Sequence, residues 1–401
     1  MRQFVNNLYF LFILTTNIYS CQTITNQKLT AENLLLPEAL TLSSLAFPNV
    51  ITPNQASEDV NFLIYALSNA YGGRKYVDQR LLQKAISDLS ALPLSRLTLS
   101  EFHDKIDEAL FAIPDNHLRA YYQGKVSLKR QNYEIQNVGQ VGKNRITDIN
   151  KVWEVQVDRV SKQKILLIAL TKFPPHENKI WQNFLASITE KFNLVDKIVI
   201  DLRGNSGGDD TIGMELAGVL YGHSFEHPIK RQYRSQTPET VALLTNRFNI
   251  EIFNLKYDNQ IIPEYLVKDL SDSKARFQKA LKGEIQAEFI RSDKGLNRSE
   301  SEGFNKPIYI LMDKECGSSC EFTIAALEAH AQMKKVGENT SGTFHFSNSG
   351  IAVLPNSKIK VMVPSQFSEY YDKRFFERIG IAPDIKVPPG EDAYSFLKKI
   401  I

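Results

Sequence analysis

The spacing of apolar residues divides the chain into a helical part and a part in which strands and helices alternate. From Ser57 to Leu118 apolar residues recur at helical spacing, as in VNFLIYAL and FHDKIDEALFAI, which predicts three or four helices. After Tyr121 the period shortens to two, and KVWEVQV, KILLIAL and KIVIDLR are predicted as strands. An amphipathic helix, IWQNFLASITEKF, precedes the last of these. The alternation predicts a mixed α/β fold, with a helical N-terminal domain over residues 46–120 and a second domain over 121–401.

The second domain continues as strand, turn and helix with one long interruption. A helix is expected over residues 211–220, and the buried strand PIYILMD precedes another over about 319–332. Residues 225–305 are more polar and irregular, and we interpret them as an insertion that covers a site, with a solvated excursion as the alternative. KKVGE, IAVLP and KIKVMVP then predict antiparallel strands late in the chain, before a short helix over 393–400.

The first 20 residues are typical of a secretory signal peptide. Arg2 precedes an apolar stretch over residues 8–14, and small Ser20 ends the segment. The sequence IYSC, which ends at Cys21, is similar to the cleavage box of bacterial lipoproteins, in which the cysteine is acylated. We therefore expect an exported protein, either secreted, periplasmic or held at the outer membrane by a lipid on Cys21, with residues 21–45 as a polar tether. An N-terminal helix buried in the fold is the alternative.

Composition and charge narrow the classes of function. The 401 residues are 43% hydrophobic and 23% charged, which suits a folded protein with a sizeable core. A net charge of +3 offers no electrostatic footprint for nucleic acid. No apolar run reaches the roughly 18 residues of a spanning helix, so membrane contact is expected only through a lipid anchor. The seven histidines are scattered and form no His-Glu-x-x-His motif, so we expect neither a metal nor another cofactor.

A glycine-rich turn, DLRGNSGG, follows the strand KIVI at residues 201–208. At the carboxyl end of a strand, such a turn presents backbone N–H groups to an anion, as in a phosphate cradle or an oxyanion hole. The chain lacks the Gly-Lys-Ser/Thr of a P-loop and the glycine spacing of dinucleotide sites. An anion-stabilising turn for acyl transfer fits best, with Asp201 and Arg203 bracing it. A purely structural turn is the alternative.

A second stretch, CGSSCE, lies between the strand PIYILMD and the helix FTIAALEAH. A serine at such a junction receives the positive potential and a free backbone N–H of the helix N-terminus, which suit a nucleophile. Ser318 or Ser319 would otherwise be only a helix cap, with Glu321 completing a capping box. Cys316 and Cys320 allow a disulfide if their Cα atoms approach within about 7 Å, and two buried thiols are the alternative.

The order of four short segments resembles the tail-specific, or C-terminal processing, serine peptidases. These segments are DLRGNSGG, the SSxE at the helix start, VGENTSGT and FFERIGIAPDIKV, and the resemblance covers about residues 115–388. It implies a mixed-sheet catalytic domain of the ClpP/crotonase-like type that acts on a peptide or protein substrate. It implies Ser318 as the nucleophile. It also implies an oxyanion hole formed by the backbone N–H groups of Ser319 and of Gly207 or Gly208.

The family has two kinds of general base, and this chain matches one of them. Where the bacterial tail-specific branch has a lysine after the GE-x-T segment, this chain has Thr343. The branch similar to the tricorn protease core uses a histidine and a distant glutamate, which His117 and Glu377 match. His117 is therefore expected to take the serine proton, and Glu377 to orient the imidazole. Asn116 stands where that branch has a serine, and we expect it to hold a water or the base.

Three alternatives remain open. His345, two residues beyond Thr343, is a rival base. The sequence GNSGG also satisfies the nucleophile-elbow pattern G-x-S-x-G, which would make Ser206 the nucleophile of an esterase or lipase with His345 as its histidine. A non-catalytic relative that keeps the fold and binds a ligand, similar to the retinoid carrier of the retina, is the third. The short stretch between Tyr121 and the strand KVWEVQV leaves no room for the peptide-binding PDZ module of many family members.

Overall fold

The structure is a computed structural model, and no helix that it describes is long and apolar enough to cross a membrane. The predicted signal peptide, Cys21 with its predicted lipid, and the first residues of the predicted tether lie outside the described residues. The described segments are 28–92, 97–136, 139–146, 151–174, 179–222, 225, 229–291 and 303–401.

Two long helices of the N-terminal half begin after threonines that are followed three residues later by a glutamine or a glutamate. The Gln55 backbone N–H donates to the Thr52 hydroxyl, and the Thr52 backbone N–H donates to the Gln55 side chain at 2.9 Å. Thr98 and Glu101 form the same capping box. The helices predicted between residues 57 and 118 are confirmed. The helices are α1 (Ala31–Leu34), α2 (Leu42–Leu45), α3 (Pro53–Asn69), α4 (Gln79–Ser90), α5 (Leu99–Phe111), α6 (Leu128–Gln136), α7 (Lys179–Thr189), α8 (Asp210–Tyr221), α9 (Pro238–Tyr257), α10 (Glu264–Leu281), α11 (Ser319–Leu327) and α12 (Ala393–Ile400).

Two large sheets and a two-stranded ribbon contain the strands of the described segments. The strands predicted from the period of two are all present, and the mixed α/β fold is confirmed. The strands are β1 (Val50–Ile51), β2 (Leu97–Thr98), β3 (Arg119–Tyr121), β4 (Trp153–Val160), β5 (Gln163–Leu170), β6 (Lys197–Asp201), β7 (Ile229–Ser235), β8 (Glu288–Arg291), β9 (Ile308–Met312), β10 (Met333–Gly337), β11 (Phe346–Val353), β12 (Lys360–Tyr370) and β13 (Ile385–Lys386).

The six-stranded sheet has the strand order β13-β10-β9-β6-β5-β4. All neighbours run parallel except β4, which pairs antiparallel with β5. Asp201 at the end of β6 pairs with Leu311 near the end of β9, so both strands end at the same edge. The glycine turn after β6 and the serine turn after β9 therefore lie side by side, at the carboxyl ends where parallel sheets bind their ligands.

The second sheet is antiparallel and has the order β11-β12-β7-β8, with β3 also paired to β12. This confirms IAVLP and KIKVMVP as antiparallel strands, since they lie in β11 and β12. The prediction is wrong for KKVGE, which lies in β10 and pairs parallel with β9 and β13. In the pairing of β3 with β12, Arg119 lies opposite Met362. His117 precedes β3 by two residues, so this long-range pairing brings it to the late strands of the chain.

The buried side chains form separate clusters on the two sheets. One cluster lies between the six-stranded sheet and helices α7, α8 and α11, and a smaller one lies under α12 on the opposite face. A third joins α3, α4 and α5 to α9, α10 and the second sheet. The helical N-terminal half and the second sheet therefore share one core.

The prediction of an irregular insertion over residues 225–305 is wrong for its described part. Residues 229–291 contain two strands and the long helices α9 and α10, and the helices pack against the N-terminal half. Leu266, Ser273, Phe277 and Ala280 are buried along one face of α10, while most of its other positions are polar and exposed. The high average polarity of the segment concealed this narrow apolar stripe.

The predicted polar tether over residues 21–45 is also wrong for its described part. Leu34 in α1 is buried, and the Asn246 side chain of α9 donates to its carbonyl oxygen at 2.8 Å. The Leu36 N–H donates back to the Asn246 side chain at 2.8 Å. Two backbone groups and an apolar side chain therefore fix this segment to the body of the protein.

The helix expected over 319–332 is shorter than predicted and ends at Leu327. The chain turns there because the His330 ring bonds to the Phe304 carbonyl oxygen at 2.7 Å, and β10 begins at Met333.

Candidate active site

Ser318 occupies a strained turn between β9 and α11. Its backbone has φ 55° and ψ −122°, a conformation that costs a non-glycine residue about 1–3 kcal/mol. Although Ser318 stands at the N-cap of α11, its hydroxyl makes no capping hydrogen bond. The alternative that this serine is only a helix cap therefore does not fit the structure. A strained strand-to-helix turn with a free hydroxyl is the geometry of a nucleophile elbow.

Ser318 and His117 line the same cavity, which has a volume of about 810 Å³. The cavity lies between the edge of the six-stranded sheet and β3 with its neighbouring segments. Its wall also includes Asn116, Ser206 and Thr343, whereas the predicted site residues Glu377, Gly207, Gly208 and Ser319 do not line it. No residue of the described segment 229–291 lines it, which is a second respect in which the predicted covering insertion is wrong.

A disulfide joins Cys316 and Cys320, with Cα atoms 5.5 Å apart. Both residues are fully buried. The backbone on the two sides of Ser318 is thus covalently linked at the start of α11.

Glu321 holds the loop that passes beside the serine. Its carboxylate accepts hydrogen bonds from the Thr340 hydroxyl at 2.5 Å, the Gly342 N–H at 2.9 Å and the Thr343 N–H at 2.7 Å. The side chain is fully buried, and burial raises the pKa of Glu321 to about 7 against these hydrogen bonds. The Ser318 backbone N–H also donates to this carboxylate, so Glu321 supplies the glutamate half of the predicted capping box while it orders the wall around Thr343.

The glycine turn packs directly against the serine turn. Gly207 has φ +103° and Gly208 has φ +137°, so both need glycine. The Gly207 N–H is occupied, because it donates to the Asn205 side chain at 2.9 Å. The Ser319 hydroxyl donates to the Gly208 carbonyl oxygen at 2.7 Å and ties the two turns together. Within the described residues, the backbone N–H groups of Gly208 and Ser319 have no hydrogen-bond acceptor.

His117 is held by its backbone and by its neighbours in the cavity wall. Its N–H donates to the Asp115 carboxylate at 2.8 Å, and its ring Nδ1 is buried without a hydrogen-bond partner. Burial, followed by the charge of Arg119, lowers the pKa of His117 to about 3, so the ring is neutral near pH 7. A ring nitrogen and one carboxylate oxygen each from Asp115 and Glu377 lie within 4.8 Å of one another.

Glu377 is buried behind His117 and accepts hydrogen bonds from three backbone N–H groups. Those donors are Asn116 at 2.8 Å, His345 at 3.0 Å and Phe344 at 3.2 Å. Burial and then the charge of Asp115 raise the pKa of Glu377 well above its usual range. Within the described residues, no direct hydrogen bond joins Glu377 to the buried Nδ1 of the His117 ring.

Two buried groups support this arrangement, Tyr71, which the sequence did not point to, and Asn116, which it did. The Tyr71 hydroxyl donates to the Asp115 carboxylate at 2.9 Å, and burial raises the pKa of Asp115 to about 6. The Asn116 side chain donates to the Gly342 carbonyl oxygen at 2.8 Å, so it braces the loop and not the histidine. Tyr71 carries no motif, and only its contact in space identifies it.

The three residues Asp115, His117 and Glu377 are also the group in the described part of the chain whose ligand atoms are close enough to hold a metal ion. Their carboxylate oxygens already accept hydrogen bonds from Tyr71 and from backbone N–H groups. A metal there would have to share or displace those donors.

The rival base His345 is buried away from the cavity with both ring nitrogens occupied. Its Nδ1 donates to the Ser368 carbonyl oxygen at 2.8 Å, and its Nε2 accepts from the Phe376 N–H at 2.8 Å. Burial lowers the pKa of His345 to about 4. Its ring stacks on Phe375 with centroids 4.6 Å apart. These contacts make His345 a core residue, so the expectation that it is an alternative base is wrong.

The G-x-S-x-G reading also does not fit the geometry. Ser206 lines the cavity but has no positive φ and does not lie at a helix start, because α8 begins only at Asp210. Its proposed histidine, His345, is not in the cavity. Arg203 and Asp201 brace the turn as expected, paired at 2.7 Å and almost completely buried.

Comparisons with known proteins agree with this arrangement of the fold. The model of peptidase family S41 matches residues 164–387, which is more than half of the chain. The solved structure of mature CPAF complexed with lactacystin is 14% identical, covers 87% of this chain and 97% of its own, and has a TM-score of 0.56. A candidate peptidase from Parabacteroides merdae ATCC 43184 is 13% identical, with 88% and 97% covered and a TM-score of 0.53. No curated protein sequence matches the chain.

Proposed function

Since the chain belongs to peptidase family S41, as its resemblance to the tail-specific serine peptidases implies, we propose that this peptidase works through an acyl-enzyme on Ser318. The observation that carries the proposal is the free Ser318 hydroxyl, held in a strained elbow on the same cavity as His117. A serine hydroxyl needs an adjacent base to become a nucleophile. His117 is neutral near pH 7 and is the histidine that lines this cavity, so it is the base in this proposal.

In the proposed reaction His117 takes the Ser318 proton as the hydroxyl attacks the peptide carbonyl, and later gives that proton to the leaving amine. The buried Nδ1 leaves Nε2 as the nitrogen for the serine. Asp115 and Glu377 lie near the imidazole and stabilise its positive charge, with one water between the ring and Glu377.

The tetrahedral intermediate carries a negative oxygen that needs hydrogen-bond donors. The backbone N–H of Ser319, at the first position of α11, and the N–H of Gly208 are the unoccupied donors beside Ser318. The Gly207 N–H is excluded because it serves the Asn205 side chain. We therefore assign the oxyanion hole to Ser319 and Gly208, with the helix N-terminus adding favourable potential.

The test is labelling of the folded protein with a fluorophosphonate probe, followed by peptide mapping. We expect an adduct on Ser318 that is absent in Ser318→Ala and present in Ser206→Ala, the matched variant on the same cavity. An adduct on Ser206 would transfer the protein to the esterase class. No adduct on the folded parent would favour the ligand-binding relative.

We also propose that the protein is exported and that its substrates are peptides or proteins in an oxidising compartment. The Cys316–Cys320 disulfide supports this location, since such bonds persist mainly outside the cytosol. The signal-like N-terminus and Cys21 suggest a lipid anchor. Cell fractionation of the parent and of Cys21→Ser tests the anchor, because loss of membrane association in the variant is expected only if Cys21 is acylated.

A further inference from the structure

The Cys316–Cys320 disulfide encloses the candidate nucleophile. The two cysteines lie two residues before and two residues after Ser318, and neither is exposed to solvent. The bridge therefore closes a small loop whose inner residues are Gly317, Ser318 and Ser319.

Backbone hydrogen bonds fix the first side of this loop to the edge of the six-stranded sheet. The Cys316 N–H donates to the Asp313 carboxylate at 3.1 Å, and the Cys316 carbonyl oxygen accepts from the Ser341 N–H at 2.9 Å. The Gly317 N–H donates to the Asn205 carbonyl oxygen at 3.1 Å. Cys316 is consequently a fixed point of the structure.

The second side of the loop is the first turn of α11. The Cys320 N–H donates to the Gly317 carbonyl oxygen at 3.1 Å, and the Phe322 N–H donates to the Ser318 carbonyl oxygen at 3.1 Å. An ordinary N-cap serine would also close this turn with its hydroxyl. The Ser318 hydroxyl makes no such bond, although its positive φ is a conformation that persists only when the surroundings hold it.

We propose that the Cys316–Cys320 bridge positions Ser318 for attack by closing the first turn of α11 in place of the serine hydroxyl. The hydroxyl is thereby kept free for the substrate while the backbone stays in its strained conformation. The inference rests on the proposed peptidase function of Ser318, and it makes Cys316 and Cys320 positioning residues.

Opening the bridge would then remove the covalent link between the fixed Cys316 and the first turn of α11, on the far side of Ser318. A dithiol reductant gives two electrons and two protons to the Cys316 and Cys320 sulfurs, and is itself oxidised to a disulfide. Reoxidation by a disulfide such as oxidised glutathione reverses the exchange. Reduction is therefore expected to lower turnover reversibly.

The experiment compares the parent with the double variant Cys316→Ala/Cys320→Ala. Steady-state hydrolysis of a peptide substrate gives kcat and KM, and hydrogen–deuterium exchange reports on residues 317–322. We expect kcat to fall roughly 10²-fold, because a small displacement of a reacting atom has an effect of that order, with KM nearly unchanged. Exchange should become faster at 317–322 and stay the same in β9.

A matched control separates positioning from general stability. Ala325→Gly weakens the same helix from a buried position without touching the bridge or the cavity wall. We expect it to lower the melting temperature while kcat stays at the parent value. The reduction arm uses the folded parent with dithiothreitol until mass spectrometry shows both thiols. This reduction experiment therefore tests whether the bridge positions Ser318 even if the double variant does not fold.

The outcomes distinguish this inference from the proposed function. A double variant or reduced parent that keeps the kcat of the oxidised parent would overturn the positioning role, as would unchanged exchange at residues 317–322. If the parent itself shows no adduct on Ser318, the proposed function fails. The exchange measurement would still show whether the bridge holds the turn.

Discussion

A Cβ atom built on Gly207 lies 2.9 Å from the Cβ of Ser318. It would also lie 2.9 Å from the Gly317 carbonyl oxygen, and real Cβ atoms do not approach other atoms so closely. Gly207 in addition has φ +103°, which side chains rarely adopt. The turn after β6 therefore packs as bare backbone against Ser318, and any side chain at this position has to displace the turn that contains Gly317 and Ser318.

We expect Gly207→Ala to lose roughly 10²-fold in kcat, because the added methyl group pushes the Ser318 turn out of place. The matched control is Gly283→Ala, which has φ +70° and open space around the new Cβ. That control should show only the stability cost of the backbone conformation, about 1 kcal/mol. Parent-like turnover in Gly207→Ala would mean that the close approach does not set the position of Ser318.

Substitution of His117 is expected to reduce activity, whereas substitution of His345 is expected to reduce stability. His117→Ala should reduce kcat by on the order of 10³ or more, since it removes the proposed base. His345→Ala should instead lower the free energy of unfolding by about 1–3 kcal/mol, because the Phe376 N–H and the Ser368 carbonyl oxygen lose their partners. Peptide hydrolysis and urea denaturation of both variants measure the two effects. Normal turnover in His117→Ala would refute its assignment as the base.

The free energy of unfolding is expected to decrease as the pH decreases, because the pKa of His345 is lower in the folded protein than in the unfolded chain. Its pKa is about 4 in the folded protein and about 6.5 in an unfolded chain. Between these values the unfolded chain binds a proton that the folded protein does not, so this stabilisation is complete above pH 6.5 and is lost as the pH falls toward 4. Protonation of Nε2 would also break the bond from the Phe376 N–H.

The measurement is urea denaturation of the parent and of His345→Gln at pH 7 and pH 5. The parent should exceed His345→Gln in free energy of unfolding by a larger amount at pH 7 than at pH 5. His117 and the buried carboxyl groups titrate in both proteins and cancel in this difference. A free-energy difference between the two proteins that does not change with pH would contradict the assignment of this pH dependence to His345.

Arg203 is expected to contribute to stability and not to chemistry. It is almost completely buried, pairs with Asp201 at 2.7 Å and with Asp392 at 2.7 Å, and donates to the Val141 carbonyl oxygen at 2.9 Å. Arg203→Met should destabilise the fold by about 3–5 kcal/mol, because it leaves the Asp201 charge buried and unpaired.

Denaturation midpoints of three proteins test this expectation. The control Arg80→Met removes an exposed ion pair with Asp78, and its midpoint should match that of the parent. The double variant Asp201→Asn/Arg203→Met should recover part of the lost stability, since it removes the unpaired charge. No recovery would show that the effect of Arg203 comes from packing alone.

Much of the fold follows from local periodicity. Strands β4, β5, β6, β9 and β10 of the six-stranded sheet and the closing helix α12 have strong patterns, and their positions match the prediction. The two-residue edge strand β13 was not predicted. The prediction for residues 225–305 failed because a helix there buries only a narrow apolar stripe, and the mean polarity of a segment does not reveal such a stripe. The prediction of a tether over residues 21–45 failed for a similar reason, since only the buried Leu34 and hydrogen bonds to Asn246 fix the described part of this segment to the fold.

Only those parts of the candidate site that lie in sequence motifs could be predicted from the sequence. Ser318 and the glycine turn lie at strand ends, and parallel pairing brings such ends together without further information. The roles of His117 and His345 could not be separated from the sequence, because β3–β12 pairing and the burial of His345 arise from long-range packing. Tyr71 and the occupied N–H of Gly207 depend on hydrogen bonds that no spacing reveals.

The order of the site residues along the chain has a consequence for biosynthesis. His117 belongs to the first third of the protein, Ser318 follows much later, and Glu377 lies close to the C-terminus. The backbone of Asn116 contacts Glu377 directly, so the wall behind the histidine closes only when the last strands have docked. If the peptidase works through Ser318 and His117 as proposed, it gains a complete site only after the segment that carries Glu377 has been made and has docked beside Asn116.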